Sequence, residues 1–319
     1  MRLLVLGGTQ FVGRAVAAAA LGAGHDVTLF HRGRTGADLF PEAEHLPGDR
    51  DGGLDALRGR SWDACIDTSG YLPRLVRDSS ELLRDAVSHL VFVSTISVYA
   101  DLAMPRDEDG PLATLDDPTT EEIGGGTYGG LKVMCEQAVR ATLGERAGIV
   151  RPGYIVGPHD HTGRFTWWVH RAAQGGTLPL PASIYRRAQF IDVRDLADFL
   201  LHAAVSSLPG TYNATGPLQP IGMGHVLEEA ARASTSDLEL VPVDDAVAAE
   251  AEVPFPLWTP EPAWAAWAEV DASRAVAQGL SFRPLGQTIR STLYSASTVD
   301  GVGPTPEQEA ALLAASQAS

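Results

Sequence analysis

The first half of the chain alternates short apolar runs with stretches of helical period. Residues 2–6 (Arg-Leu-Leu-Val-Leu) read as a buried strand, 12–22 as a helix and 26–31 as a second strand. Residues 62–67 and 89–94 read as further strands, with a helix around 73–87 between them. A helix over 127–143 and a strand over 146–151 follow. Strands alternating with helices imply crossover connections, and hence a parallel, doubly wound α/β sheet. Past Arg151-Pro152-Gly153 the pattern loosens. Residues 156–186 are rich in Gly, Pro, His and Trp; 189–193 read as a strand and 194–205 as a helix. Residues 216–300 mix helices with proline-rich loops, and Thr305-Pro306-Glu307 opens a short capped helix with a frayed end.

The turn after the first strand is Gly7-Gly8-Thr9-Gln10-Phe11-Val12-Gly13, and it opens the first helix. A dinucleotide fold needs glycine there for a tight turn, for backbone approach to a pyrophosphate, and for helix-to-strand packing. The phosphates sit on the helix N-terminus, where free N–H groups favour anions. Gln10 occupies the middle glycine position, so the fingerprint is incomplete. The expected fold is therefore a Rossmann-type sheet over 1–155, rejoined by 187–215, with 156–186 and 216–319 forming a smaller substrate-binding part. Gly7, Thr9, Gln10, Phe11, Val12 and Gly13 are candidate cofactor contacts. The second strand ends at His31 and is followed by Arg32 and Arg34, where an NAD-preferring chain usually carries an acid. Cations suit a 2′-phosphate, which favours NADP(H) over NAD(H). Asp49, after the next strand-like piece, is a candidate for the adenine amine.

Composition sharpens the chemistry. Of 24 Lys+Arg residues only one is lysine, Lys132, and it lies four positions after Tyr128. On a helix that spacing puts both side chains on one face. A free tyrosine hydroxyl, with pKa ~10, is a poor base at neutral pH. A nearby ammonium would lower that pKa, and the phenol could then exchange a proton with a substrate hydroxyl. Val93-Ser94-Thr95-Ile96-Ser97-Val98-Tyr99 ends a strand at the carboxyl edge of the sheet, and its hydroxyls are candidates to hold the substrate oxygen. The formal net charge of −16 opposes a nucleic-acid backbone or an anionic membrane as partner. Two distant cysteines, Cys65 and Cys135, offer no disulfide framework and fit a reducing compartment. No signal peptide or membrane span is read, so a cytoplasmic location is expected.

These pieces together resemble an extended short-chain dehydrogenase/reductase of the NAD-dependent epimerase/dehydratase type. The resemblance rests on the glycine turn, on Val93–Tyr99, and on Tyr128-Gly129-Gly130-Leu131-Lys132. It also rests on Arg151-Pro152-Gly153-Tyr154-Ile155-Val156-Gly157-Pro158 and on Phe190-Ile191-Asp192-Val193-Arg194-Asp195-Leu196-Ala197. They run in family order over about two-thirds of the chain. The resemblance implies a catalytic set of Thr95, Tyr128 and Lys132, with Lys132 also holding the nicotinamide ribose. Gln10 resembles an atypical subgroup, some of whose members are linked to RNA binding. Sugar 4,6-dehydratases of the family carry Asp-Glu directly after the threonine; Ile96-Ser97 stand here and cannot do that acid–base work. Ser97 replaces the cysteine of the family's 3,5-epimerase/reductases, whereas His159 keeps their histidine position.

Gly157-Pro158-His159-Asp160-His161-Thr162-Gly163-Arg164 is expected to face the substrate, making Ser97, His159, His161 and Arg164 candidate contacts. Arg186 and Arg187 precede the strand at Phe190, and Arg187 is a candidate for a diphosphate; no metal site is expected. Trp167-Trp168, Trp258, Trp264 and Trp267 serve core packing more than sugar stacking. The expected activity is hydride transfer between nicotinamide and a secondary alcohol or ketone of a sugar-like or natural-product small molecule, with a ketoreductase favoured. The alternatives are a sugar epimerase with tightly bound NAD, and a non-catalytic nucleotide- or RNA-binding member of the fold. A homodimer is the expected assembly.

Overall fold

A computed structural model describes residues 1–260, 265–295 and 298–318. The strands are β1 (Arg2–Leu6), β2 (Asp26–His31), β3 (Glu44–Pro47), β4 (Trp62–Asp67), β5 (Val87–Val93), β6 (Ala147–Pro152), β7 (Tyr154–Val156), β8 (Gly176–Pro181), β9 (Ala188–Asp192), β10 (Gly210–Ala214), β11 (Gly216–Ile221) and β12 (Leu238–Val243). The helices are α1 (Phe11–Gly22), α2 (Pro73–Leu83), α3 (Tyr128–Leu143), α4 (Arg164–Gln174), α5 (Ala182–Arg186), α6 (Val193–Val205), α7 (Met223–Ser234), α8 (Asp245–Glu250), α9 (Ser273–Ala277), α10 (Leu285–Ser295) and α11 (Pro306–Ala318).

Seven strands form one sheet in the order β10-β6-β5-β4-β1-β2-β3, and all its pairings are parallel. The continuous apolar runs of β1, β4 and β5 are buried, as a sheet covered on both faces requires. Val16, Ala17 and Ala20 of α1 pack with Leu200 and Ala203 of α6 on one face. Val76 and Leu83 of α2 and Val139 of α3 cover the other. Strand order reverses between β1 and β4, and the crevice at their carboxyl ends is where such folds bind ligands.

The later elements form a second core around Phe165, Trp168, Phe190, Met223 and Leu227. β9 does not join the large sheet; it pairs with β7 and β11, while α6 and β10 pack into the first unit. β8 and β12 make a separate parallel pair. Trp168 is fully buried, stacks on Phe255 at 5.6 Å, and donates to the Pro256 carbonyl at 2.8 Å, so it is a core residue. Trp264 lies outside the described residues. α11 starts with a reciprocal cap: Thr305 N–H donates to Gln308 Oε1 at 2.8 Å, and Gln308 N–H to Thr305 Oγ1 at 3.3 Å. No helix among the described residues is long and apolar enough to cross a membrane.

One buried ion pair joins α3 to the sheet. Arg151 of β6 donates to Glu136 of α3 through Nε at 2.9 Å and through an Nη at 2.7 Å, with both side chains 4% exposed. Ser94 Oγ donates to the same carboxylate at 2.5 Å. Arg151 reaches the Glu108 carbonyl at 3.1 Å and Tyr99 Oη at 3.3 Å, and Tyr99 Oη donates to Asn213 Oδ1 at 2.7 Å. Removing one partner leaves the other charge buried and uncompensated. Glu136→Ala should therefore lower unfolding free energy by about 3–5 kcal/mol. Urea denaturation checks this, and a loss below about 1 kcal/mol, the scale of an exposed pair, would contradict it.

Candidate active site

The glycine turn works without glycine at its middle position. Gln10 has φ −139° and ψ 138°, extended backbone open to any residue, and caps α1 with no side-chain bond to the helix. The tight geometry falls elsewhere. Gly7 and Gly8 have φ of +110° and +95°, and a methyl at Gly13 would run into the Gly8 amide and sit 2.9 Å from Gly8 Cα. Phe11 takes φ +38°, an unusual value for a side-chain-bearing residue, and its ring meets His161 edge-on at 5.9 Å.

Two clefts open along the carboxyl edge of the sheet. The first, about 450 Å³, is lined by the glycine turn, His31, Arg32, Arg34, Asp49, Arg50 and Ser69. The second, about 740 Å³, is lined by Ser94, Thr95, Ser97, Tyr128, Lys132, Tyr154, Arg164 and Trp267. Phe11, Val12, Thr68, Tyr71, Ile123 and His161 line both, so the clefts adjoin.

Thr95, Tyr128 and Lys132 come together in the second cleft. Thr95 Oγ1 accepts from Ser97 N–H at 3.1 Å and donates to Ser97 Oγ at 3.2 Å, which holds it at the start of the short turn 96–98. Burial pushes the Tyr128 phenol up to about 12, and Tyr71 adds to this; Thr95 and the Arg164 guanidinium pull the other way. Lys132 is 3% exposed and donates to the Gly70 and Val93 carbonyls, each at 2.7 Å. Its ammonium lies 4.2 Å from the Phe92 ring centre. Burial brings its pKa down to about 8. The expected lowering of the Tyr128 pKa by Lys132 is therefore not found in the structure. The ammonium is committed to two backbone carbonyls, and desolvation dominates at the phenol.

The remaining candidates divide. Ser97, His161 and Arg164 line the second cleft. Arg164 lies 5.3 Å from the Tyr154 ring and has no carboxylate partner among the described residues. His159 lines neither cleft; it sits at φ +64°, with burial and then Arg14 lowering its proton affinity. Arg187 also lines neither, because it pairs with Glu269 on the surface. Asp49 reaches the first cleft, where its Oδ1 accepts from Asp51 N–H at 3.0 Å. Among the described residues, no cluster of three or more His, Cys, Asp or Glu is arranged to hold a metal ion.

Two lining residues escaped sequence reasoning. Arg50 grips Asp67 through both oxygens at 2.7 and 2.5 Å, and donates to Ser79 Oγ at 2.6 Å beneath the first cleft. Nothing in the sequence sets it apart from the other arginines, because its partners lie 17 and 29 positions away. Tyr71, 49% exposed, stands where the clefts meet, 5.5 Å from Lys132 Nζ.

The doubly wound sheet with its ligand crevice defines the class of fold, and comparison with known proteins narrows it. Residues 75–214 match the model of the NAD dependent epimerase/dehydratase family. The chain is thus similar to that family over less than half of its length. It is 27% identical over 219 residues to the chloroplast stem-loop binding protein of 41 kDa b of Arabidopsis thaliana. That match spans 63% of this chain and 54%, about half, of the relative. In fold it is similar to the Bordetella bronchiseptica enzyme WbmH solved with NAD+, with TM-score 0.67 and 17% identity over 92% of this chain and 97% of that one. It is similar also to human epimerase family protein SDR39U1 solved with NADPH, with TM-score 0.63 and 21% identity over 92% and 99%. A third such structure is the UDP-glucose 4-epimerase of Thermus thermophilus with NAD, with TM-score 0.64 and 18% identity over 93% and 100%.

The backbone roles of the turn can be separated by substitution. Gly13→Ala should cost about 1–3 kcal/mol of stability through overpacking against Gly8, while Gln10→Ala should stay within about 0.5 kcal/mol. Thermal and urea unfolding of the two variants provide the check, and equal effects would contradict the assignment.

Proposed function

We propose that the protein is an NADP(H)-dependent oxidoreductase that transfers hydride between the nicotinamide and a secondary alcohol or ketone of a sugar-like or natural-product substrate, acting as a ketoreductase. The observation that carries this reading is a second cleft, adjoining the first, that holds a half-buried phenol of raised pKa beside Thr95. The first cleft suits a dinucleotide: its turn leaves backbone uncovered at Gly7, Gly8 and Gly13, and Arg32 and Arg34 replace the acid expected of an NAD enzyme. Gly7, Thr9, Gln10, Phe11, Val12, Gly13, His31, Arg32, Arg34, Asp49 and Lys132 are the residues that would hold it.

When bound, the nicotinamide supplies or takes up the hydride. Thr95 orients the substrate oxygen. Tyr128 holds its proton at Oη through the neutral range, a state suited to protonating a carbonyl oxygen, and hence to reduction. Lys132 uses two of its three N–H donors on Gly70 and Val93, leaving one for a ribose hydroxyl. Ser97, His161 and Arg164 offer polar contacts to the substrate, and Tyr154 and Trp267, 5.0 Å apart, offer aromatic edges.

A sugar epimerase with tightly bound NAD is the second reading, favoured by the NAD-bound epimerase structures that share the fold. It would yield product with no net change in cofactor absorbance. The plant relative is named a stem-loop binding protein, which favours nucleic-acid binding, RNA included, as a third reading; the net charge of −16 opposes it. Tight, salt-sensitive retention on RNA would support that third reading. A homodimer remains the proposed assembly, testable by sedimentation.

Tyr128→Phe should cut turnover by about 10²–10⁴-fold, the range of general acid catalysis, with NADPH binding retained; unchanged turnover would overturn the assignment. Lys132 loses its proton as pH rises through about 8, below the usual lysine range. The rate of ketone reduction should accordingly be flat through neutral pH and fall above that point, which a kcat/KM profile against pH measures.

A further inference from the structure

The connection that carries Arg32 and Arg34 is tied together by two histidines. His31, the last residue of β2, is buried, and its Nδ1 accepts from Gly33 N–H at 3.0 Å. Nδ1 is thus unprotonated, and the proton of the neutral ring sits on Nε2. That nitrogen lies 2.8 Å from His45 Nδ1 and donates to it. His45, on β3, then carries its proton on Nε2 and donates to the Phe40 carbonyl at 3.1 Å. Each ring nitrogen has one partner of the matching kind, so the set is complete with both imidazoles neutral. Burial, with His45 adding to it, holds the proton affinity of His31 below the ordinary histidine value.

The chain Gly33–His31–His45–Phe40 spans both ends of the connection between β2 and β3. The same connection rests on the glycine turn, since a side chain at Gly36 would meet the Thr9 carbonyl at 2.9 Å. Gly33 lies between the two arginines at φ +68°. Arg32 and Arg34 are exposed, line the first cleft and have no carboxylate partner among the described residues. Two long side chains with free ends bind an anion more tightly when the backbone beneath them is already ordered.

We infer that His31 and His45 are positioning residues for cofactor discrimination: their relay pins Gly33 so that Arg32 and Arg34 are presented together to the 2′-phosphate of NADP(H). This rests on the NADP(H) reading above. It assigns the histidines a role in selectivity through the arginines, and none in the chemical step.

The test is calorimetric titration of the unaltered protein and of His31→Leu, His31→Asn and His45→Leu with 2′,5′-ADP and with 5′-AMP. The unaltered protein should prefer 2′,5′-ADP. His31→Leu should weaken 2′,5′-ADP about tenfold more than it weakens 5′-AMP, the scale of one lost hydrogen bond at a charged site. His31→Asn can accept from the N–H two residues on and should stay within about threefold of the unaltered protein. His45→Leu should weaken 2′,5′-ADP selectively and less, and it supplies the reading if His31→Leu does not fold. Equal losses for both ligands, or no loss, would overturn the inference alone. Equal binding of the two ligands by the unaltered protein would overturn the NADP(H) reading and the inference with it.

Discussion

Arg151 and Glu136 meet where water cannot reach either, and the geometry of the active site depends on that meeting. Charges taken out of water are tolerated only when each is paired and its remaining hydrogen-bonding positions are filled. The pair accordingly gathers Ser94, Tyr99 and the Glu108 carbonyl around it. Glu136 stands one helical turn past Lys132 on α3, and Ser94 immediately precedes Thr95. Satisfying the pair therefore sets the rotation and height of α3 against the end of β5. Lys132 then falls on the Val93 and Gly70 carbonyls, and Tyr128 falls beside Thr95.

The electrostatics that follow are those of a dry site in an acidic protein. Lys132 sits against the Phe92 ring with carbonyls as its hydrogen-bond partners, and its pKa falls; Tyr128 is half-buried, and its pKa rises. Both shifts share one cause, loss of water around the charged form. Their combined effect keeps the phenol neutral and the lysine still largely cationic at neutral pH. Arg164, without a carboxylate partner among the described residues, adds a cation to the same cleft. A proton donor and two cations thus line the second cleft, even though the chain as a whole carries −16.

Much of the first unit was legible in the sequence. β1, β2 and β4 begin and end where their apolar runs do, and α1 and α3 start within one residue of the read boundaries. α2 stops at Leu83, short of the expected end near residue 87, because the chain turns into β5 at Val87. Strands β7, β8, β11 and β12 were not legible, since their runs are short or interrupted by glycine and proline. Gln10 looked like a defect in the glycine turn, but the burden of close approach rests on Gly8 and Gly13. His159 and His161 are two residues apart, yet the backbone between them turns so that His161 alone lines a cleft.

What the sequence by itself determined was local and periodic: the alternation of strand and helix, the glycine turn, and the four-residue spacing that puts Tyr128 and Lys132 on one helix face. Such features depend on neighbours within a few residues, and the chain carries them wherever it goes. The tertiary structure alone decided which distant groups meet, among them Arg50 with Asp67, His31 with His45, and Lys132 with two carbonyls in place of the phenol. It also decided how much water each group keeps. Burial sets the proton affinities of Tyr128 and Lys132, and burial is a property of the packed core that no stretch of sequence possesses alone.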